Sequence, residues 1–152
     1  MGAILKQYSY TPEKIIRGYS GKSLYINVSD LRIEEKEVTD FMKEKFIGGK
    51  GFDLWYLWNA VTPETRWNSP ENEIVMSVGP LGGITQYSGT GKTLIASISP
   101  LTGIPIDSNA GGYFGPLLKF SGWDAFELQG KSDKDIIIFI DGNNGLIQIE
   151  EG

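Results

Sequence analysis

Two glycine-rich segments contain the residues of this chain best suited to bind an anion. The first, residues 79–93, places one cation, Lys92, directly after Gly91. The second, residues 99–115, places Gly111-Gly112 just before a predicted helix. Free N–H groups at a helix start, together with the positive end of the helix dipole, attract anions, and glycine lets a ligand approach the backbone closely. With Lys92, these groups could hold a phosphate.

Each segment also has an explanation that involves no ligand. Lys92 can be a surface lysine beside a hairpin. Gly111-Gly112 can simply turn the chain, while Ser108 or Asn109 caps the helix that follows. The spacing of the residues leaves the ligand-binding and ligand-free interpretations open.

The end of the first segment resembles a nucleotide-binding phosphate loop only in part. Gly91-Lys92-Thr93 has the right ending, but the motif needs a glycine at position 86, where the chain has Gln86. The motif must also open a helix, whereas residues 93–98 alternate as a strand does. A nucleoside triphosphate site is therefore not expected.

Composition excludes several kinds of catalysis and of partner. The 152-residue chain has no Cys and no His, so it contains no disulfide, no cysteine-ligated iron–sulfur cluster and no Ser-His-Asp triad. The net charge of −5 argues against nucleic acid or an anionic membrane as a general partner. No segment reaches the ~20 apolar residues of a membrane span, and no secretory signal is apparent, so we expect a cytoplasmic protein.

The hydrophobic pattern predicts one α+β domain, rich in strands, that positions the two glycine-rich segments. Residues 1–18 are polar and weakly patterned, which indicates an extended arm that docks or frays, and residues 19–152 form the domain. The run 136–140 is apolar throughout, as in a strand buried on both faces, and the aromatic cluster 55–58 is expected in the core. Strands are predicted at 23–28, 34–38, 73–78, 93–98, 104–108, 125–128, 136–140 and 146–150, and helices at 39–46, 51–61 and 113–121.

Short motifs follow one another in a recognisable order over about residues 18–150. They are Gly48-Gly49-Lys50-Gly51, Ser69-Pro70-Glu71-Asn72, Gly79-Pro80-Leu81, Ser99-Pro100-Leu101-Thr102-Gly103, Asn109-Ala110-Gly111-Gly112-Tyr113-Phe114-Gly115, Leu118-Lys119-Phe120-Ser121-Gly122-Trp123-Asp124 and Gly130-Lys131. Each is weak alone, but the series is specific. It resembles the amino-terminal domain of the aldehyde:ferredoxin oxidoreductase family, whose members hold tungsten, or sometimes molybdenum, between two pterin dithiolenes.

The resemblance implies that the glycine-rich segments bind the pterin. In the family, an Asn in an Asn-x-Gly-Gly segment and the glycine two residues later contact the pterin, and these positions are Asn109 and Gly111. The main-chain carbonyl of that Asn also helps to hold a magnesium ion that bridges the phosphates of the two pterins, so Asn109 is the expected metal-binding residue. A family Arg that contacts a pterin phosphate corresponds to Lys92, which keeps the charge but loses the bidentate fork. Neighbours whose backbone is expected to contribute are Gly91, Ala110 and Gly112.

The resemblance also implies a fold of two β-sheets with a few short helices, forming the base under a bis-pterin cofactor. The family's domain continues past this length with a second pterin-contacting half, and its iron–sulfur cysteines and acid/base residues belong to later domains. We therefore expect no catalytic residue here, and we expect a small subunit rather than a fragment. A larger catalytic subunit would carry the iron–sulfur cysteines and exchange electrons with a ferredoxin-like carrier. The small subunit should expose a large apolar or glycine-lined face to it.

In the favoured interpretation the assembled enzyme interconverts aldehydes and carboxylic acids, or carries out a related low-potential acyl reduction. Two other functions fit the same residues. A pterin carrier or assembly protein would instead bind the cofactor without a lasting partner. A structural adaptor would bridge other subunits, using residues 1–18 as its hook, without binding the cofactor.

Overall fold

The computed structural model describes residues 2–152, which form two β-sheets and three short helices. The strands are β1 (Ile4–Ser9), β2 (Lys22–Asn27), β3 (Arg32–Glu37), β4 (Glu73–Ser77), β5 (Thr93–Ile98), β6 (Pro105–Ala110), β7 (Ala125–Gln129), β8 (Ile136–Asp141) and β9 (Leu146–Glu151). The helices are α1 (Asp40–Phe46), α2 (Lys50–Ala60) and α3 (Phe114–Phe120). The α+β, strand-rich architecture with two sheets is thus confirmed. Within residues 2–152 no helix has the length and apolar character needed to cross a bilayer.

A six-stranded sheet lies at the centre of the fold, in the order β3-β2-β7-β4-β5-β6. Neighbouring strands are antiparallel except β2 and β7, which run in parallel. At one edge, β5 and β6 pair in a register that sets Thr93 opposite Ala110. This register brings the two glycine-rich segments side by side, because residues 91–92 directly precede β5 and residues 111–112 directly follow β6.

Side chains alternate across the central sheet and build a separate core on each face. On β7, Ala125 faces α1 and α2, while Phe126 faces the second sheet, whose order is β1-β9-β8. The buried cluster under α1 and α2 consists of Val38, Met42, Phe52, Tyr56, Leu57, Val75 and Ala125. The buried cluster on the other face consists of Tyr10, Leu24, Ile26, Ile33, Leu118, Trp123, Phe126, Ile147 and Ile149.

Part of the predicted arm, residues 1–18, belongs to the second sheet. β1 pairs antiparallel with β9. Just after β1, the Tyr10 hydroxyl donates to the Ser121 carbonyl at 2.8 Å, and the Tyr10 ring lies 4.7 Å from that of Trp123. Residues 4–10 therefore dock on β9 and on the core beside α3.

The three predicted helices are present, with bounds within about one residue of those expected. Thr39 caps α1 by accepting a hydrogen bond from the Met42 N–H. Gly122 lies just beyond α3 with a φ of 95°, which favours glycine. In α2, however, the expected aromatic core is incomplete, because Tyr56 is buried while Trp58 is exposed.

The expectation that residues 136–140 are buried on both faces is wrong. These residues lie in β8, an edge strand of the three-stranded sheet. Ile136, Ile138 and Ile140 pack against the core between the sheets. Ile137 and Phe139 point outward and are 53% and 47% exposed. The sequence could not reveal this, because both faces of the strand carry apolar side chains.

A buried ion pair joins α3, the start of β7 and the turn before β2. Lys119 and Asp124 are both fully buried, and the Lys119 Nζ donates to Asp124 Oδ1. The same ammonium donates to the Gly18 carbonyl at 2.7 Å. Asp124 also accepts the backbone N–H groups of Ser20 and Gly21 at 3.1 and 2.7 Å. Each buried charge thus has several partners, which offsets its loss of hydration.

Isoleucines on the two sides of the β8–β9 hairpin should differ sharply in their contribution to stability. Ile147→Ala should lower the free energy of unfolding by about 2–4 kcal/mol, because it removes buried methyl groups between the sheets. Ile137→Ala is the matched control on the exposed face and should cost less than about 1 kcal/mol. Urea denaturation followed by tryptophan fluorescence gives both values. Equal losses would contradict the assigned outer face.

Removing one partner of the buried ion pair should be strongly destabilising. Lys119→Met leaves the Asp124 charge buried without its cation and should cost about 3–5 kcal/mol. Lys134→Met is the control, because Lys134 pairs with Glu151 in solvent, and its thermal unfolding should match that of the wild type. Similar losses in the two variants would show that the buried pair has no special role.

Candidate functional site

The ends of β5 and β6 bring the two glycine-rich segments together at one edge of the six-stranded sheet. Gly91 and Gly112 lie against each other, since a Cβ built on Gly91 would be 2.8 Å from the Gly112 carbonyl oxygen. The Lys92 Nζ lies 3.8 Å from the position that a Cβ on Gly111 would occupy. The structure therefore places these four predicted residues at one site, which we call the β5–β6 edge site.

Asn109 and Ala110 are the last two residues of β6 and do not lie at a helix start. Asn109 lies opposite Leu94 of β5, and Gly111, two residues later, lies beside the Lys92 Nζ. α3 begins only after Tyr113, which serves as its N-cap without a capping side chain. The ligand-free interpretation in which Ser108 or Asn109 caps this helix is therefore wrong.

The expected contribution of a helix dipole is also smaller than the sequence indicated. α3 has only seven residues, and Gly111-Gly112 is separated from its first residue by Tyr113. The free charge at this edge belongs instead to the Lys92 ammonium. The backbone groups at this edge belong to the ends of β5 and β6 and not to the predicted helix terminus.

Lys92 is exposed and available to an anion. None of the ion pairs among residues 2–152 includes Lys92. A second lysine near this edge, Lys50 at the start of α2, is instead paired with Asp107 of β6 at 2.7 Å. An anion could therefore contact Lys92 without breaking an existing ion pair.

A cavity of about 530 Å³ adjoins Lys92. Its volume is in the range of small-molecule sites, about 300–1,000 Å³. Its walls come from residues 79–82 and 87–90, together with Ile47 at the end of α1. The glycines of these loops were identified from the sequence, whereas Ile47, which is distant in the chain, was not. The available signal was its position directly before the Gly48-Gly49-Lys50-Gly51 motif.

A buried carboxyl lies between α2 and the strands that lead to the edge. Asp53 is 0% exposed, and neither of its carboxylate oxygens has a hydrogen-bond partner in the part of the chain that the structure describes. Burial raises the pKa of Asp53 to about 8, Asp107 adds to the rise, and nearby Ser77 opposes it. The Ser77 hydroxyl donates its hydrogen to the Gly49 carbonyl at 2.8 Å and therefore forms no hydrogen bond with Asp53. At neutral pH this carboxyl is mostly protonated.

Asp53 was not identified from the sequence. It stands between Phe52 and Leu54 on a helix whose residues are mostly apolar. A lone acidic residue in such a pattern was the only signal, and acidic residues in helices usually face solvent.

A solved structure shares this fold. It is described as the active site complex BamBC of benzoyl coenzyme A reductase in complex with 1,5-dienoyl-CoA, and the match has a TM-score of 0.82 with 29% sequence identity. The match covers 88% of this chain and 20% of that chain.

Curated relatives are similar over most of this chain. The tungsten-containing aldehyde ferredoxin oxidoreductases of Pyrococcus horikoshii and Thermococcus kodakarensis are 39% and 34% identical, over 84% and 81% of this chain. The aliphatic sulfonate oxidoreductase, WOR-like subunit, of Pyrococcus furiosus is 29% identical over 88% of this chain. The matches cover 20–21% of these proteins, so the chain spans about a fifth of the length of the curated relatives it matches.

A family model matches most of the described fold. The family is described as aldehyde ferredoxin oxidoreductase, N-terminal domain, and the match runs over residues 23–152, from β2 to beyond β9. The resemblance inferred from the ordered motifs is thereby confirmed. This chain belongs to the aldehyde ferredoxin oxidoreductase family and contains the N-terminal domain of that family.

Proposed function

We propose that this chain is a small cytoplasmic subunit that binds a tungsten- or molybdenum-pterin cofactor in a heteromeric oxidoreductase of the aldehyde:ferredoxin type. One observation carries the proposal: at the β5–β6 edge site Lys92 lies beside Gly111, and Gly91 lies against the Gly112 carbonyl. These are the residues to which the family resemblance assigns pterin contacts. Membership of the family, and relatives named as tungsten-containing, support the same conclusion.

The β5–β6 edge site fits an anionic group such as a pterin phosphate. The Lys92 ammonium is exposed and contributes positive charge. No atom of residues 2–152 outside the immediate chain neighbours lies within 4 Å of where a Cβ on Gly112 would stand, so the backbone there is open to a ligand. A hydrogen bond between Lys92 and a phosphate oxygen would contribute about 1.5–3 kcal/mol.

When bound, the metal–pterin group would supply the redox chemistry for aldehyde and carboxylic acid interconversion, or for a related acyl reduction. The residues of this chain would bind and orient it. Lys92 would neutralise phosphate charge, and Gly111 would admit the ligand to the backbone, with Gly91, Ala110 and Gly112 beside it. The main-chain carbonyl of Asn109 would help to hold the bridging magnesium ion.

A larger partner subunit is part of the proposal, because one relative similar over most of this chain is itself named as a subunit, the WOR-like subunit of an aliphatic sulfonate oxidoreductase. That subunit would carry the iron–sulfur cysteines and exchange electrons with a ferredoxin-like carrier. Apolar side chains exposed on and around β6 support a covering partner. They are Leu101, Ile104, Ile106, Tyr113 and Phe114.

Loss of the Lys92 charge should lower cofactor occupancy. Lys92→Ala removes the phosphate contact, so the affinity for the cofactor should fall about tenfold, whereas Lys92→Arg should retain or improve it. Tungsten and molybdenum in the purified complex would be measured by inductively coupled plasma mass spectrometry, and pterin by fluorescence after oxidation. Exposed Lys131→Ala is the control.

Asn109→Ala tests the same site through a different group. The smaller side chain should disturb the pterin contact and lower occupancy in the same assay. If neither Asn109→Ala nor Lys92→Ala lowers metal and pterin content, the site assignment is wrong and the adaptor function is favoured. Stable pterin on the chain without any partner would favour the carrier function.

Stability should depend on pH through Asp53. Its pKa is about 8 in the folded chain and near the ordinary 3.8 when unfolded. The native state therefore binds the extra proton, and stability falls as pH rises from about 4 through 8. Asp53→Asn should remove this loss, which a shift of about four pKa units makes on the order of 5 kcal/mol between pH 4 and pH 9. Urea denaturation at both pH values measures it. The exposed control Asp133→Asn should keep the wild-type slope, and an unchanged slope in Asp53→Asn would contradict the assignment.

A further inference from the structure

A second cavity, of about 340 Å³, lies between α2 and the strands β3, β7 and β4. Glu73 and Glu127 lie on its sheet side, Tyr56 and Trp55 on its helix side, and Lys36 beside Glu127. We call it the Glu73 pocket. It shares no lining residue with the β5–β6 edge site, and nothing in the proposed function uses it.

Two polar groups inside the Glu73 pocket are buried and unsatisfied. Glu127 accepts hydrogen bonds from the Ser23 hydroxyl at 2.7 Å and from the Lys36 ammonium. Glu73 is only 3% exposed, yet its Oε2 has no partner among residues 2–152, and neither has the buried Tyr56 hydroxyl. Buried polar atoms nearly always have partners, so these two atoms call for a hydrogen-bonding partner that residues 2–152 do not supply.

The pocket already holds one primary ammonium group. The Lys36 Nζ lies 4.2 Å from the centroid of the Tyr25 ring and 5.9 Å from that of Tyr56, and it is bonded to Glu127. An aromatic face together with a carboxylate is a common way of binding an ammonium group. Glu73 and the Tyr56 hydroxyl provide a second carboxylate and a further acceptor, and no cation among residues 2–152 forms an ion pair or hydrogen bond with them.

The charges around Glu73 favour an incoming cation. Lys36 neutralises one of the two buried carboxylates, which leaves the other without a counter-charge when it is ionised. Burial, with a smaller contribution from Glu127, raises the pKa of Glu73 to about 7 against the opposing effect of Lys36. The polar groups that face the pocket are Glu127 of β7, Lys36 and Glu37 of β3, Thr39 before α1, and Tyr56 and Asn59 of α2.

We propose that the Glu73 pocket binds the primary ammonium group of a small aliphatic amine. Its N–H groups would donate to Glu73 Oε2 and to the Tyr56 hydroxyl oxygen, and its alkyl chain would lie against Trp55 and Met42, which also line the pocket. The part of the chain that the structure describes contains no group of three acidic, His or Cys side chains able to hold a metal ion, and a divalent cation prefers several such ligands. An organic ammonium is the better match.

Titration calorimetry of the full chain, with any copurifying subunits retained, tests this with 1,4-diaminobutane. Binding should be saturable and about tenfold tighter at pH 8 than at pH 6, because the ionised fraction of Glu73 rises about tenfold over that range. It should also release protons near pH 7. The uncharged analogue 1,4-butanediol should not bind. Absence of saturable binding by the diamine at pH 8 would overturn the proposal.

Matched variants separate Glu73 from general acidity. Glu73→Gln keeps the shape of the side chain and should weaken diamine binding at least about tenfold and abolish its pH dependence. Glu37→Gln removes an exposed carboxylate at the rim and should bind within about twofold of the wild type. Unchanged binding by a folded Glu73→Gln variant would overturn the proposal. Should that variant not fold, Tyr56→Phe removes only the hydroxyl and should weaken binding at least about threefold.

A lysine side chain of a partner subunit could supply the same ammonium group. Diamine binding by the chain alone that disappears in the assembled complex would identify that source. Binding retained in the complex would identify a free amine. Both outcomes support the ammonium site and differ only in its source.

Discussion

The buried pair of Lys119 and Asp124 is the interaction on which the arrangement of the sheet depends. Two charges excluded from water must both be paired, and their partners lie 101 to 104 residues away, in the turn before β2. Asp124 also donates its N–H to the Lys22 carbonyl at 2.8 Å, directly before the parallel pairing of β2 with β7 begins. β7 in turn borders β4, which leads through β5 to β6. The β5–β6 edge site is therefore positioned by an ion pair that touches none of its residues.

Most elements of the fold could be predicted, because the hydrophobic periodicity of each segment agrees with the start and stop signals beside it. Thr39 begins a helix and Gly122 ends one for reasons contained in a few neighbouring residues. What could not be predicted depends on which surfaces meet. Phe139 has the same apolar neighbours as a buried strand residue, yet it lies on the outer face of an edge strand. Trp58 likewise lies on the side of α2 that no other element covers.

The residues of the candidate site were proposed from the sequence, but their geometry was not. Lys92 and Gly111 were identified because glycine and a cation suit an anion, and the β5–β6 register then brought them together. The sequence indicated an anion site at the start of a helix, but the structure has the end of a strand there. A helix start and a strand end both expose backbone groups. Asp53 and Glu73 were missed for one reason: burial of a carboxyl is a tertiary property, and acidic residues usually face solvent.

The parallel pairing of β2 with β7 has a consequence for the protein during its synthesis. β2 and β3 can form their hairpin early, but the other side of β2 stays unpaired until residues 125–129 have left the ribosome. At about 5–20 residues per second, synthesis of the intervening stretch takes roughly 5–20 s. During that interval Leu24 and Ile26, fully buried in the folded chain, lie on an open strand edge of a kind prone to aggregate.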